Sequence, residues 1–223
     1  MAGRRPTRYH FPPMFIHWLQ DDPQYFFSVC ITVIVSVCVH ELCHGLAAIA
    51  LGDRTPIETG HMTLNPVKHM GGMSLILLLA AGIAWGSMPV NPSRLRGKYG
   101  RALVAVAGPA ANVVMALLGI VAVGLWKRSN LDVDDAPPLV NFLWIFGYVN
   151  IALAIFNLLP VPPLDGSRIV ANFSSAYVQM VGKLQASGQM MVPFLIIFFF
   201  AGKFIYPISD YARTAILRWT IQY

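Results

Sequence analysis

Long runs of apolar residues, with almost no charge inside them, are the feature that most constrains how this chain folds. A membrane-spanning helix needs about 20 consecutive apolar residues, with a range of roughly 17 to 25. Runs of that length cover residues 25–51, 102–126 and 139–159, and a fourth run at 190–201 reaches it if extended to residue 208. The pattern predicts an all-α fold, a polytopic bundle of membrane helices.

The composition agrees with a membrane protein and excludes other classes. Only 12% of the 223 residues are charged, against about 25% in a typical soluble domain. Hydrophobic residues make up 56% of the chain, which excludes a disordered protein and argues against a soluble globule of this size. The net charge of +6 does not indicate nucleic-acid binding, because most basic residues stand at the ends of apolar runs, where topology signals belong.

About four to six segments are expected to meet the membrane, and one of them is short. The apolar run at 73–85 has only about 13 residues, a length typical of a re-entrant or interfacial segment rather than a crossing. We therefore expect residues 53–101 to leave and return to one side of the membrane. The C-terminal tail, with Arg213 and Arg218, is typical of an interfacial helix.

Two histidines and a glutamate stand inside the first apolar run. Residues 40–44 read HELCH, and on a helix this spacing places His40 and His44 on one face. Two imidazoles there can bind one zinc ion, with Glu41 beside them as general base. Ionisable residues at membrane depth are costly and indicate a function. The alternative interpretation is a polar contact between helices.

A catalytic zinc ion usually has three protein ligands and one open position for water, so a third ligand is expected elsewhere. Asp165 stands out, because it follows an apolar span and a proline-rich turn and precedes Gly166. Irregular backbone at membrane depth is tolerated where it lines a cavity. The spacing leaves open whether Asp165 is a ligand or a turn residue. The other candidates are His10, His17, Asp53, Glu58, and His61 and His69, which are interpreted as solvated loop residues.

Five short motifs follow one another between residues 25 and 170. They are HELCH at 40–44, LNPVKH at 64–69, PVNP at 89–92, GPAAN at 108–112 and NLLPVPPLDG at 157–166. In content and order they resemble the site-2 protease family of intramembrane zinc metalloproteases, in its compact prokaryotic form without a PDZ domain. The resemblance implies that His40, His44 and Asp165 bind one zinc ion and that Glu41 is the catalytic base.

Two lone amides in apolar spans are further candidates. Asn112 and Asn157 could each hold an extended peptide, and the resemblance suggests that they position the substrate or steady the oxyanion. The alternative is an interhelical hydrogen bond, worth about 1 kcal/mol or less in membranes. This sequence departs from the family pattern at Gly71, where compact members often carry aspartate, and at Cys43, where many carry a small residue. Because Cys43 adjoins His44, the sequence leaves open whether its sulfur contacts the metal.

These observations predict an intramembrane zinc metalloendopeptidase that hydrolyses peptide bonds of membrane proteins within or near the bilayer, as in regulated intramembrane proteolysis. The alternative is a non-catalytic polytopic membrane protein that binds a metal or a partner. The expected partners are a transmembrane protein substrate and membrane lipids, with no nucleic acid, and homo-oligomer formation is left open. The expected location is a bacterial cytoplasmic (inner) membrane.

The same features divide the chain into three parts. Residues 1–24 form a polar, interfacial N-terminal segment, 25–170 the catalytic membrane core, and 171–223 a C-terminal region of amphipathic and membrane helices.

Overall fold

A computed structural model describes residues 15–129 and 137–222 of the chain. Within these residues the structure is helical, without strands, and a 3₁₀ turn at Phe15–His17 precedes the α-helices. The helices are α1 (Trp18–Asp21), α2 (Pro23–Ala50), α3 (Thr55–Glu58), α4 (Pro66–Ala81), α5 (Gly100–Ser129), α6 (Pro138–Asn157), α7 (Asp165–Phe173), α8 (Ser175–Ala186) and α9 (Met191–Gln222). Most of the predicted N-terminal segment, including His10, lies outside the described residues.

Three helices are long and apolar enough to cross a membrane. They are α2, α5 and α6, with mean hydropathies of 2.1, 2.1 and 2.0. A fourth crossing is formed if α9, which bends by 51° between Val192–Phe200 and Gly202–Ile221, is one broken span. Together with the short apolar helix α4, these elements confirm the predicted all-α polytopic bundle.

The central helix of the bundle is α5, which packs against α2, α6, α7 and α9. It approaches α6 closely through glycines. A Cβ on Gly147 would lie 2.6 Å from Ile120, and a Cβ on Gly119 would lie 3.1 Å from the Leu143 carbonyl oxygen. Small residues that let helix backbones meet are typical of membrane interfaces. The close contact brings polar side chains of the two helices within hydrogen-bonding distance.

The segment that contains the short helix α4 begins and ends next to the C-terminal end of α2, and its re-entrant path in the membrane stays a prediction. Gly71 has φ 70° and ψ 165°, which breaks the helix after its first turn. The chain then returns as an extended segment that ends against the loop after α2. There the Asn91 N–H donates to Asp53, and Arg94 pairs with Glu58. The loops before and after α4 are therefore in direct contact.

The tail differs from the interfacial helix predicted for it, because it packs against the spans. Leu217 is buried with Ile120, Val123 and Val140, and Thr220 lies against Gly124. The Arg213 guanidinium lies 3.8 Å from the Trp144 ring centroid, and its charge is paired with Asp210. This apolar face and the sheltered charge hold the second half of α9 on α5 and α6.

Asp53 is the point where the loop after α2 is joined to the returning segment, and its removal should destabilise the fold. Its carboxylate is fully buried and accepts hydrogen bonds from the Thr55 and Asn91 N–H groups. We expect Asp53→Ala to lower the free energy of unfolding by about 2 kcal/mol, because buried donors lose their acceptor. Denaturant unfolding in detergent micelles measures this. Glu58→Ala is the control, since it removes only an exposed ion pair, worth about 0.5 kcal/mol.

The contribution of Asp53 should also depend on pH. Burial raises the pKa of the Asp53 carboxyl, but the hydrogen bonds from Thr55 and Asn91 outweigh burial and lower it overall. When folding lowers the pKa of a carboxyl, that carboxyl stabilises the folded state at pH values above its ordinary pKa. This stabilisation is lost as the pH falls. The difference in stability between the unchanged protein and Asp53→Ala should therefore narrow at acidic pH. If the difference in the free energy of unfolding stayed the same at acidic pH, the lowered pKa of Asp53 would be contradicted.

Candidate metal centre

Helix α2 carries His40 and His44 one turn apart on a face turned towards the interior of the bundle. Both side chains are buried, with 6% and 3% of their surface exposed. Their Nε2 atoms lie 3.0 Å apart, and their rings meet edge to face. Glu41 follows His40 and is buried as well. The spacing of the HELCH motif thus produces the shared helix face that it predicts.

Asp165 reaches the two histidines from the first turn of α7. The preceding segment, residues 158–164, turns sharply, and Gly166 is needed there because a Cβ would collide with the Leu158 carbonyl oxygen. The turn places Asp165 Oδ2 at 3.1 Å from the Nε2 atoms of both His40 and His44. Asp165 therefore meets His44 and His40, which stand 121 and 125 positions earlier in the sequence.

The outer nitrogens of both histidines are engaged by groups that fix their protonation. His44 Nδ1 lies 2.7 Å from the Val104 carbonyl oxygen, which can only accept, so Nδ1 carries the proton. His40 Nδ1 lies 2.6 Å from Asn112 Oδ1 and donates to it. In a neutral imidazole the other nitrogen then has a lone pair and no proton. When both rings are neutral, both Nε2 atoms face Asp165 as acceptors.

The cluster of acceptors fits a metal ion. Two Nε2 lone pairs and a carboxylate oxygen meet at 3.0 and 3.1 Å, and when both imidazoles are neutral no proton lies between them. A cation bound between them removes this repulsion. Zinc bonds of about 2.0–2.1 Å in a tetrahedral site separate the ligand atoms by about 3.3 Å, close to the observed spacing. Among the described residues this is the one group of three that could hold a metal ion.

Two glycines let the backbone approach the cluster. A Cβ on Gly108, in α5, would collide with the Nε2 atoms of His40 and His44. A Cβ on Gly86, in the segment that returns from α4, would lie 2.6 Å from the Glu41 carboxylate oxygen. The backbone at these positions forms walls of the site. The sequence pointed to Gly108 through the GPAAN motif, but nothing in it pointed to Gly86.

The remaining candidates for a third ligand are engaged elsewhere. Asp53 and Glu58 hold the loop after α2, and His61 contacts Thr59. His17 is exposed. His69 is not the solvated residue that its polar surroundings suggested: it is 2% exposed, and its Nε2 lies 2.6 Å from the Thr63 carbonyl oxygen. Cys43 is not among the three residues of the metal cluster.

The two predicted substrate-binding amides lie in different surroundings. Asn112 is fully buried, and besides accepting from His40 it donates to Asn150 Oδ1 at 2.9 Å. The interhelical hydrogen bond considered as its alternative role is therefore present. Asn157 donates to the Leu153 carbonyl oxygen of its own helix at 3.0 Å. Contact of either amide with a substrate stays a prediction.

Asn150 is a member of this network that the sequence analysis did not select. It is fully buried and donates to the Phe146 carbonyl oxygen at 2.9 Å. The signal that singled out Asn112 and Asn157, an amide alone in an apolar span, applies equally to Asn150. The close packing of α5 on α6 is what connects Asn150, through Asn112, to His40.

Comparisons with known proteins agree with this geometry. The sequence profile of peptidase family M50 matches residues 131–200, which include Asp165 and Asn157. YwhC of Bacillus subtilis, named as a candidate zinc metalloprotease, is 35% identical over 198 residues, which cover 84% of this chain and 88% of YwhC.

More distant relatives carry the same kind of name. Rip2 of Mycolicibacterium smegmatis is 30% identical over 163 residues, or 67% of this chain and 61% of Rip2. MJ0611 of Methanocaldococcus jannaschii is 26% identical over 151 residues, or 65% of this chain and 72% of MJ0611. No solved structure gives a significant match. The extent of the match to YwhC, together with the family profile, shows that this chain belongs to peptidase family M50.

Proposed function

We propose that this protein is an intramembrane zinc metalloprotease that hydrolyses peptide bonds of membrane proteins within or near the bilayer. The observation that carries the proposal is the buried cluster of His40, His44 and Asp165 with Glu41 beside it, inside a bundle of apolar helices. The names of the relatives, as candidate zinc metalloproteases, support the same activity.

The depth of the cluster supports hydrolysis within the membrane. At 1.5 Å per residue, His40 lies about 25 Å along α2 from Pro23 and about 15 Å from Ala50. Helix α2 is one of the apolar helices long enough to span a bilayer. His40 and His44 therefore lie in the interior part of a spanning helix, where Asp165 meets them from α7.

The residues His40, His44 and Asp165 would hold the zinc ion through two imidazole nitrogens and one carboxylate oxygen. Bound there, zinc supplies a Lewis acid that activates water and polarises a carbonyl group. Three protein ligands leave a position open, as catalytic zinc sites require. The hydrogen bonds of His40 to Asn112 and of His44 to Val104 keep both rings oriented for this role.

Glu41 is the general base in this proposal. Its carboxylate is buried beside the metal cluster and close to the returning segment at Gly86. It takes a proton from the attacking water and later gives it to the leaving amine of the cleaved bond. Because a peptide bond in a helix is shielded and already hydrogen-bonded, the substrate helix has to unwind locally before it can reach this carboxylate.

We further propose that the partners are transmembrane protein substrates and the surrounding lipids, and that the protein is embedded in a cytoplasmic membrane. The apolar outer surface supports contact with lipid: Leu118, Phe199 and Phe204 each expose about two thirds of their residue surface or more. Exposed apolar area on this scale indicates a lipid or protein partner.

Reversible loss of cleavage on removal of the metal tests the proposed activity. Purified protein in lipid vesicles, with a transmembrane protein as substrate, should stop cleaving when 1,10-phenanthroline is added and recover when zinc is restored. The non-chelating isomer 1,7-phenanthroline is the matched control and should have no effect. Cleavage by the zinc-free protein would refute the proposal, and a zinc-loaded protein that cleaves no membrane protein would favour the non-catalytic alternative.

A further inference from the structure

A chain of side-chain hydrogen bonds connects the proposed metal ligand His40 to the backbone of a different helix. His40 on α2 contacts Asn112 on α5, Asn112 contacts Asn150 on α6, and Asn150 contacts the Phe146 carbonyl oxygen. The three bonds measure 2.6, 2.9 and 2.9 Å. Asn112 and Asn150 are both fully buried. Water therefore does not compete for these amides, and their orientation is decided inside the bundle.

The direction of each hydrogen bond in this series follows from its last acceptor, the Phe146 carbonyl oxygen. A backbone carbonyl oxygen only accepts, so Asn150 has to present its NH₂ group to Phe146. The oxygen of the Asn150 amide is then the atom that faces Asn112, and it accepts from the Asn112 NH₂ group. The oxygen of Asn112 is in turn left to face His40. An amide could otherwise turn over at little steric cost, because its two ends are nearly equal in size.

This direction determines which nitrogen of His40 can bind a metal. Facing the Asn112 oxygen, His40 Nδ1 carries the proton and Nε2 has the free lone pair. If Asn112 were turned over, its NH₂ group would face Nδ1, and the proton would move to Nε2. A protonated Nε2 cannot be a ligand. His44 needs no such chain, because its Nδ1 donates directly to the Val104 carbonyl oxygen, which cannot turn over.

We infer that Asn150 is a positioning residue for the metal centre: through Asn112 it holds His40 in the tautomer whose Nε2 faces the metal. The inference rests on the proposed role of His40 as a zinc ligand. Partners of this kind, one step removed from the metal, typically change metal affinity about 10- to 100-fold when they are removed.

Two substitutions at position 150 separate hydrogen bonding from packing. Asn150→Leu is similar in size but neither accepts nor donates, so Asn112 is free to turn over. Asn150→Asp, when buried, takes up a proton; its carbonyl oxygen then accepts from Asn112 and its hydroxyl donates to Phe146. Thr220→Val is the matched control, since it removes a similar bond to a backbone carbonyl one turn earlier in its own helix without touching Asn112.

Zinc affinity is measured by competition with a fluorescent chelator, and the His40 tautomer by ¹⁵N NMR of the metal-free, histidine-labelled protein. We expect Asn150→Leu to weaken zinc binding about tenfold and to give a mixture of His40 tautomers. Asn150→Asp and Thr220→Val should keep the affinity and the single tautomer of the unchanged protein. The inference is overturned if Asn150→Leu binds zinc normally, or if Asn150→Asp loses affinity as much as Asn150→Leu does.

Including Asp165→Asn in the same titration keeps the inference separate from the proposed function. If Asp165→Asn loses zinc while Asn150→Leu does not, the inference about Asn150 is wrong and the proposed ligands stand. If Asp165→Asn binds zinc as well as the unchanged protein, the proposed ligands themselves are wrong.

Discussion

Replacing Glu41 by glutamine should abolish hydrolysis while leaving zinc bound. The amide matches the carboxylate in size but cannot take a proton from water, and loss of a general base typically costs 10²- to 10⁴-fold in rate. We expect a fall in kcat of about a thousandfold. The assay is cleavage of a transmembrane substrate in lipid vesicles, with zinc content measured on the same preparation.

The control for this prediction is Glu58→Gln. Glu58 lies in α3, is exposed and pairs with Arg94 at the surface, so its substitution should leave kcat and zinc unchanged. Cleavage by Glu41→Gln at the rate of the unchanged protein would refute the assigned role of Glu41. Loss of zinc in that variant would instead assign Glu41 a part in holding the metal.

Asp165→Asn should remove zinc from the protein. Substitution of a residue one step removed from the metal costs about 10- to 100-fold in affinity, and a direct ligand should cost more than that. The asparagine lacks the charge of the carboxylate that meets His40 and His44 at 3.1 Å. Competition with a chelator of known affinity measures the loss, and metal analysis of the purified protein provides a second reading.

Cys43→Ala is the matched control for Asp165→Asn. It changes a potential metal-binding side chain immediately before His44, but the sulfur is not part of the metal cluster. Zinc affinity should therefore be that of the unchanged protein. Normal zinc binding by Asp165→Asn, or loss of zinc by Cys43→Ala, would require a different set of ligands.

Much of the site could be predicted from the spacing of residues that are close in sequence. His40 and His44 are four residues apart, and a helix puts such residues on one face whatever surrounds it. Asp165 is different, because its distance from the histidines depends on the turn at residues 158–164 and on Gly166, which no helical period describes. Its spacing alone left ligand and turn residue equally plausible, and the resemblance to a family favoured the ligand.

Residues that depend on packing between helices were harder to predict. His69 stands in a polar stretch, yet the chain folds back so that its ring is buried and bonded to Thr63. Asn150 contacts α5 and Asn157 does not reach Asn112, a difference that the sequence does not specify. The tail shows the same limit: Arg213 suggested an interface, but stacking on Trp144 and pairing with Asp210 let it lie against α6.

Because the three clustered residues are far apart in sequence, zinc binding should stabilise the folded protein. His44 and Asp165 are 121 residues apart, so a shared ion acts as a cross-link that closes most of the chain into a loop. An ion that binds only the folded chain stabilises it by about 2.7 kcal/mol when its free concentration is 100 times its Kd. The same ion would thus set both the chemistry of the enzyme and its resistance to degradation, and zinc starvation would deplete the protein as well as inactivate it.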